Sequence, residues 1–202
     1  MNKERIVYLD VIRVMACCMI VLMHTPHPNA GNPGYVVVPI SFITAAGLCL
    51  FFMVSGALLL PIQTSTFGFI KKRMGKIIFP TLFWSLIYLA ASCIWDGMSI
   101  RDASIAILSI PFSKQGHGVL WFMYTLTGLY LLAPVISTFL KQSSKKEIEF
   151  YLLLWVVTLL YPWLKGVVVT DESPQGVFYY FSGYVGYFVL GYYLHTDLKY
   201  MH

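Results

Sequence analysis

The stretch IVYLDVIRVMACCMIVLMH, Ile6–His24, decides how the rest of the chain is read. Its 19 residues are apolar almost throughout. That is close to the roughly 20 residues a helix needs to cross a bilayer. Lys3 and Arg5 before it imitate the basic start of a signal peptide. But Asp10 and Arg13 interrupt the apolar run, and it ends in His24-Thr25-Pro26 with no small-residue cleavage site. It reads as a first membrane helix that stays in the chain.

The remainder agrees with that start. Apolar residues make up 58% of the 202, and charged residues 11%. A soluble domain carries about 25% charged residues, so too few are present here to cover a water-facing surface. Lipid is the solvent this composition fits, and lipid favours helices because each backbone N–H must be satisfied within its own segment. Six spans are expected: Ile6–His24, Ile40–Leu60, Ile77–Trp95, Val119–Leu140, Ile148–Leu164 and Val177–Leu194. The expected fold is an all-α polytopic transmembrane bundle, one domain over residues 1–202, with a cytoplasmic N-terminus.

Charge placement tests the span count. With the N-terminus inside, the inner ends hold Lys3, Arg5, Arg13, Lys71, Lys72, Arg73, Lys76, Lys141, Lys145, Lys146 and Lys199. These are 11 of the 14 basic residues, the asymmetry the positive-inside rule predicts. Arg101, Lys114 and Lys165 fall outside. The segment Ile100–Phe112 alternates weakly and suits the membrane surface. Trp84, Trp95, Trp121, Trp155 and Trp163 crowd the expected interfaces, as anchors do. No basic patch is interleaved with polar surface, so nucleic acid is not expected as a partner. Cys17, Cys18, Cys49 and Cys93 lie in apolar runs and read as small core hydrophobes. The five histidines lack ligand spacing, so no metal site is expected.

The first span breaks the rule that membrane helices are apolar, and ionisable residues there are candidates for function. Arg13 and His24 are eleven residues apart, about three turns, so they share a side of the helix some ~16 Å apart along its axis. Asp10 precedes Arg13 by three and can pair with it. Asp10 lies about 21 Å from His24 along the axis, so a partner for His24 must come from another helix or from a substrate. A neutral histidine in a partly dry site is a good general base. The alternative is that Asp10 and Arg13 are interfacial and His24 caps the helix.

Two further features sit outside the first span. Ser55 and Gly56 put a small pair inside the second span, which favours close packing over a nucleophile. Arg73 and Lys76, three apart at the basic mouth of the third span, read either as topological charge with anionic lipid or as a phosphate site.

Taken together these residues resemble the acyltransferase-3 family of membrane-bound O-acyltransferases. The resemblance rests on Asp10-x-x-Arg13 with His24, the Phe51-Phe52-Met53-Val54-Ser55-Gly56 run, and Arg73-Met74-Gly75-Lys76 followed by Pro80 and Trp84. It continues in Leu120-Trp121-Phe122-Met123-Tyr124 with Tyr130 and Pro134, and in Phe188-Val189-Leu190-Gly191-Tyr192. The five motifs keep the family's order along the chain.

The resemblance implies transfer of an acyl group, commonly acetyl, from a cytoplasmic acyl-CoA to a hydroxyl of a surface glycan or lipid-linked sugar. It makes His24 the general base and has Arg13 position the donor. Arg73 with Lys76 would hold the donor's phosphates, and Asp10, Ser55 and Trp121 would support the site. No bound cofactor is implied beyond acyl-CoA, commonly acetyl-CoA, as co-substrate, and the expected location is the cytoplasmic membrane.

The sequence departs from the family at Lys76, where an Arg is usual, and at Val119, where relatives often carry a His. Relatives also run longer with more spans, so the chain is expected to be an N-terminal part, truncated at its C-terminus. A non-catalytic truncated relative and a carrier or flippase remain the competing expectations. A homo-oligomer, or a partner chain supplying helices, stays open.

Overall fold

The computed structural model describes residues 6–24, 37–95, 97–109, 121–160 and 183–200. Seven helices account for most of them: α1 Val7–His24, α2 Val37–Leu59, α3 Thr66–Trp95, α4 Ile100–Ser109, α5 Trp121–Gln142, α6 Lys145–Leu159 and α7 Val185–Tyr200. Among the described residues there is no strand. The all-α membrane fold expected from composition is what the chain adopts.

Each expected span overlaps a helix, but the bounds differ and the helices differ in reach. Val7–His24, Thr66–Trp95 and Phe122–Gln142 are long and apolar enough to cross a bilayer. The apolar part of α2, Ile43–Leu59, is shorter. α6 and α7 have 15 and 16 residues, about 22–24 Å at 1.5 Å per residue, short of a hydrocarbon core of roughly 30 Å. The remainder of the two spans expected there lies outside the described residues.

Serines set three of the starts. Ser65 Oγ accepts from Gly68 N–H at 3.3 Å, so α3 begins well before Ile77, where the third span was expected to start. The lysines and arginine in between are good helix formers and simply continue the helix. The 30 residues of α3 span about 45 Å, so its basic end reaches beyond the hydrocarbon. Ser99 Oγ accepts from Asp102 N–H and starts α4. Ser144 and Glu147 form a reciprocal capping box at α6.

The chain divides into two compact units. The first comprises Met1–Pro61 and Thr138–His202. In it α2 packs against both α1 and α7. Leu9 of α1 is buried with Val54 and Ala57 of α2. A Cβ on Gly47 would lie 2.9 Å from the Ala16 carbonyl oxygen of α1.

The α2–α7 contact is closer still. A Cβ on Gly56 would lie 1.8 Å from Phe188 O, and one on Gly191 would lie 1.9 Å from Met53 O. The two backbones therefore meet through reciprocal glycines, the small-residue solution to packing without a hydrophobic drive. Gly186 likewise makes room for the Trp155 ring of α6, whose Nε1–H donates to Gly183 O at 3.0 Å.

The second unit is Ile62–Ser137, holding α3, α4 and most of α5. Ile62 N–H donates to Ser137 Oγ at 2.9 Å, and the Phe69 and Tyr130 rings lie 6.3 Å apart. Between Phe69 and Leu89 the buried residues of α3 are Phe69, Ile77, Thr81, Ser85 and Leu89. They belong to a single i+4 row, with Arg73 partly buried in the one place left. Phe79, Phe83 and Trp84 are exposed around it, as befits a lipid-facing surface.

Candidate active site

α1 carries three of the five ionisable residues of the expected site, Asp10, Arg13 and His24. Arg13 Nη1 lies 3.4 Å from Asp10 Oδ1, so the pairing their spacing suggested is made, with both side chains partly exposed. A groove of about 460 Å³ opens beside the pair, lined among the described residues by Val7, Asp10, Val11, Val14 and Met15. These fall at i, i+3, i+4, i+7 and i+8, one face of a helix. By the same periodicity Leu9 and Ala16, the buried residues of α1, lie on the opposite face, toward α2. Cys17 and Cys18 are exposed, which corrects their reading as core residues.

His24 ends α1. Its Nδ1 lies 2.8 Å from the Ile20 carbonyl oxygen. The expectation that any partner must come from another helix or a substrate is thus corrected: the carbonyl one turn back is within reach. A carbonyl only accepts, so Nδ1 is the donor in this contact, which leaves Nε2 as the nitrogen free to accept when the ring is neutral.

The other expected residues fall into different settings. Ser55 is buried, and its Oγ donates to Phe51 O at 2.9 Å while its neighbour Gly56 meets the α7 backbone. That is a packing role. Arg73 lies in the buried row of α3, and Lys76, three residues on, is exposed outside it. Asp10, Arg13, His24 and Ser55 belong to the first unit, and Arg73 and Lys76 to the second. Trp121 opens α5, but its side chain lies outside the described residues, as do Val119 and His117.

A family model described as an acyltransferase domain, acyltransferase-3, matches residues 6–200. The chain belongs to the acyltransferase-3 family. No curated protein and no solved structure matches it. It is a membrane acyltransferase domain.

Within this acyltransferase two motifs far apart in sequence are one contact: Gly56 and Gly191 are the reciprocal glycines of the α2–α7 seam. Sequence reasoning flagged each and could not pair them. It also missed a polar set at one end of α6 and α7. Lys145 Nζ lies 2.9 Å from Asp197 Oδ1, and Tyr193 Oη donates to Glu149 Oε1 at 2.6 Å. The signal was available: Lys145 and Glu149 are four apart on one helix, and Tyr193 and Asp197 four apart on the other.

The Asp197 hydrogen bond raises the Lys145 ammonium above its ordinary value, and the Lys145 hydrogen bond lowers the Asp197 carboxyl below its own. Nearby, Tyr8 of α1 hydrogen-bonds Nδ1 of the buried His195 of α7. That contact ties the helix of the ionisable residues to the last one.

Proposed function

We propose that this acyltransferase moves an acyl group, an acetyl, from acyl-CoA to a hydroxyl of a surface glycan or lipid-linked sugar. It acts in the cytoplasmic membrane with its N-terminus inside. The observation that carries the reading is the contact between His24 Nδ1 and the Ile20 carbonyl oxygen, 2.8 Å. With Nδ1–H engaged by Ile20 O, Nε2 is the basic nitrogen at the end of α1.

The steps follow from that. Nε2 takes the proton of the acceptor hydroxyl as its oxygen attacks the thioester carbonyl. The tetrahedral intermediate collapses, the C–S bond breaks, and the imidazolium returns the proton to the leaving thiolate. Ester and free CoA thiol result. Arg13, held by Asp10, orients the donor, and Arg73 with Lys76 neutralises its phosphates. Lys76 serves as a point charge and lacks the fork an arginine would offer.

The test is transfer of labelled acetyl from acetyl-CoA to endogenous glycolipid or glycan in membranes holding the chain. His24→Ala is expected to lower the rate ~10²–10⁴-fold, the usual worth of a general base. Equal labelling by the variant would overturn the assignment.

A further inference from the structure

Most aliphatic hydroxyls inside these helices look after themselves; among the described residues Ser85 of α3 is left without a partner, as is the phenol of Tyr124 on α5. Ser55, Thr81, Ser104 and Thr127 each donate to the carbonyl four residues back, at 2.7–2.9 Å. That is the usual resting place of a hydroxyl in an apolar helix. Ser85 has the same option and does not take it. Its side chain is fully buried, and its Oγ has no hydrogen-bond partner among the described residues. An orphaned hydroxyl at this depth is costly.

Its position says what would partner it. Ser85 lies in the same i+4 row as Arg73, with Thr81 between. From Arg73 to Ser85 is twelve residues, a rise of about 18 Å. A basic group at the polar end and a free hydroxyl deep in the apolar part are therefore separated by roughly the reach of an extended pantetheine arm. That arm carries amides and ends in a thioester. Its carbonyls cannot enter an apolar interior without hydrogen-bond donors. A polyprenyl or fatty chain makes no such demand, so the orphan favours the acyl donor over a lipid.

We propose that Ser85 Oγ donates a hydrogen bond to a carbonyl of the acyl donor's pantetheine arm, with Arg73 of the same row holding the donor's phosphate end. The inference rests on the acyl-CoA reading above and adds a donor-binding residue to it. Ser85 completes its hydrogen bond when the donor is bound.

The test uses two donors in membranes: acetyl-CoA, and the acetyl thioester of N-acetylcysteamine, which keeps the end of the arm and lacks the nucleotide. Ser85→Ala is expected to raise KM about tenfold for both, and to unfold no earlier than the parent, since nothing in the resting protein is lost. Unchanged KM for both donors, with the parent active, overturns the inference and leaves the acyl-CoA reading standing. So does a penalty confined to acetyl-CoA, which would place Ser85 at the nucleotide. Earlier unfolding of the variant also overturns it, because the hydroxyl would then be serving the fold. A parent that transfers from neither donor removes the acyl-CoA reading and the inference together.

Discussion

α2 and α3 are both apolar helices with serines and glycines in them, and they are buried in different ways. α2 is closed in where Gly47 meets α1 and Gly56 meets α7. From Val54 to Ala57 every residue is buried. α3 buries one row and turns large aromatics outward. Its Gly75 has open space where a Cβ would go. Glycine content alone therefore says nothing about packing. What matters is whether another backbone lies within reach of the missing side chain.

The sharpest way to break this contrast is to add the same methyl group to both helices. Gly56→Ala drives a Cβ against the Phe188 backbone, which cannot swing away as a side chain could. The loss of stability should reach or exceed the upper end of the ~1–3 kcal/mol usual for overpacking. Gly75→Ala should do the opposite and gain about 0.5–1 kcal/mol, because alanine is the better helix former and nothing opposes it. Thermal unfolding in detergent would read both, and equal shifts would erase the distinction.

A smaller effect sharpens it. Ser55 sits within the α2 seam but satisfies its hydroxyl on its own helix. Ser55→Ala should cost no more than about 0.6 kcal/mol in the same assay, the average for such polar contacts in membranes. A loss as large as that of Gly56→Ala would mean that the hydroxyl, and not the glycine beside it, holds α2 in place.

The smallest effect concerns the exposed rim of the first unit. Asp197 titrates below its ordinary value when folded, so its pairing with Lys145 stabilises above the unfolded carboxyl pKa. That contribution is lost as pH falls through the folded one. Lys145 titrates above its ordinary value, so the same pairing fades only as pH rises past the lysine range. Lys145 is exposed and Asp197 partly so, and the contribution is slight. Asp197→Asn should flatten the acid limb of a stability–pH curve, and raised salt should do the same to the parent. An acid limb identical in parent and variant would show the pair to be idle.

Much of this fold was legible before any coordinates. Six apolar runs and the siting of Lys and Arg were enough for an all-helical membrane protein, because lipid leaves a chain few alternatives. The start of α3 was not, since Lys71, Lys72, Arg73 and Lys76 read as charge at the mouth of a span beginning at Ile77, although the helix runs on through all four from Thr66. The Asp10–Arg13 pair was legible because it is local to one helix. The meetings of Gly56 with Phe188 and of Gly191 with Met53 were not, because nothing in a sequence carries the register of two helices so far apart. Ser85 was passed over for another reason: a serine in an apolar run is ordinary, and only its neighbours reveal whether its hydroxyl is spoken for.

The reciprocal glycines also have a consequence for how the protein is made. Gly56 is synthesised early and its counterpart Phe188 late. At roughly 5–20 residues per second, the ribosome needs on the order of ten seconds to bridge the gap. Throughout that interval the notched side of α2 has no α7 to receive it. Lipid tails, or a helper in the insertion machinery, must fill the notch and then be expelled. Closing of the first unit is thus a late event in biogenesis, and a slow or paused translation of the last helix would prolong the interval in which α2 can pair with the wrong neighbour.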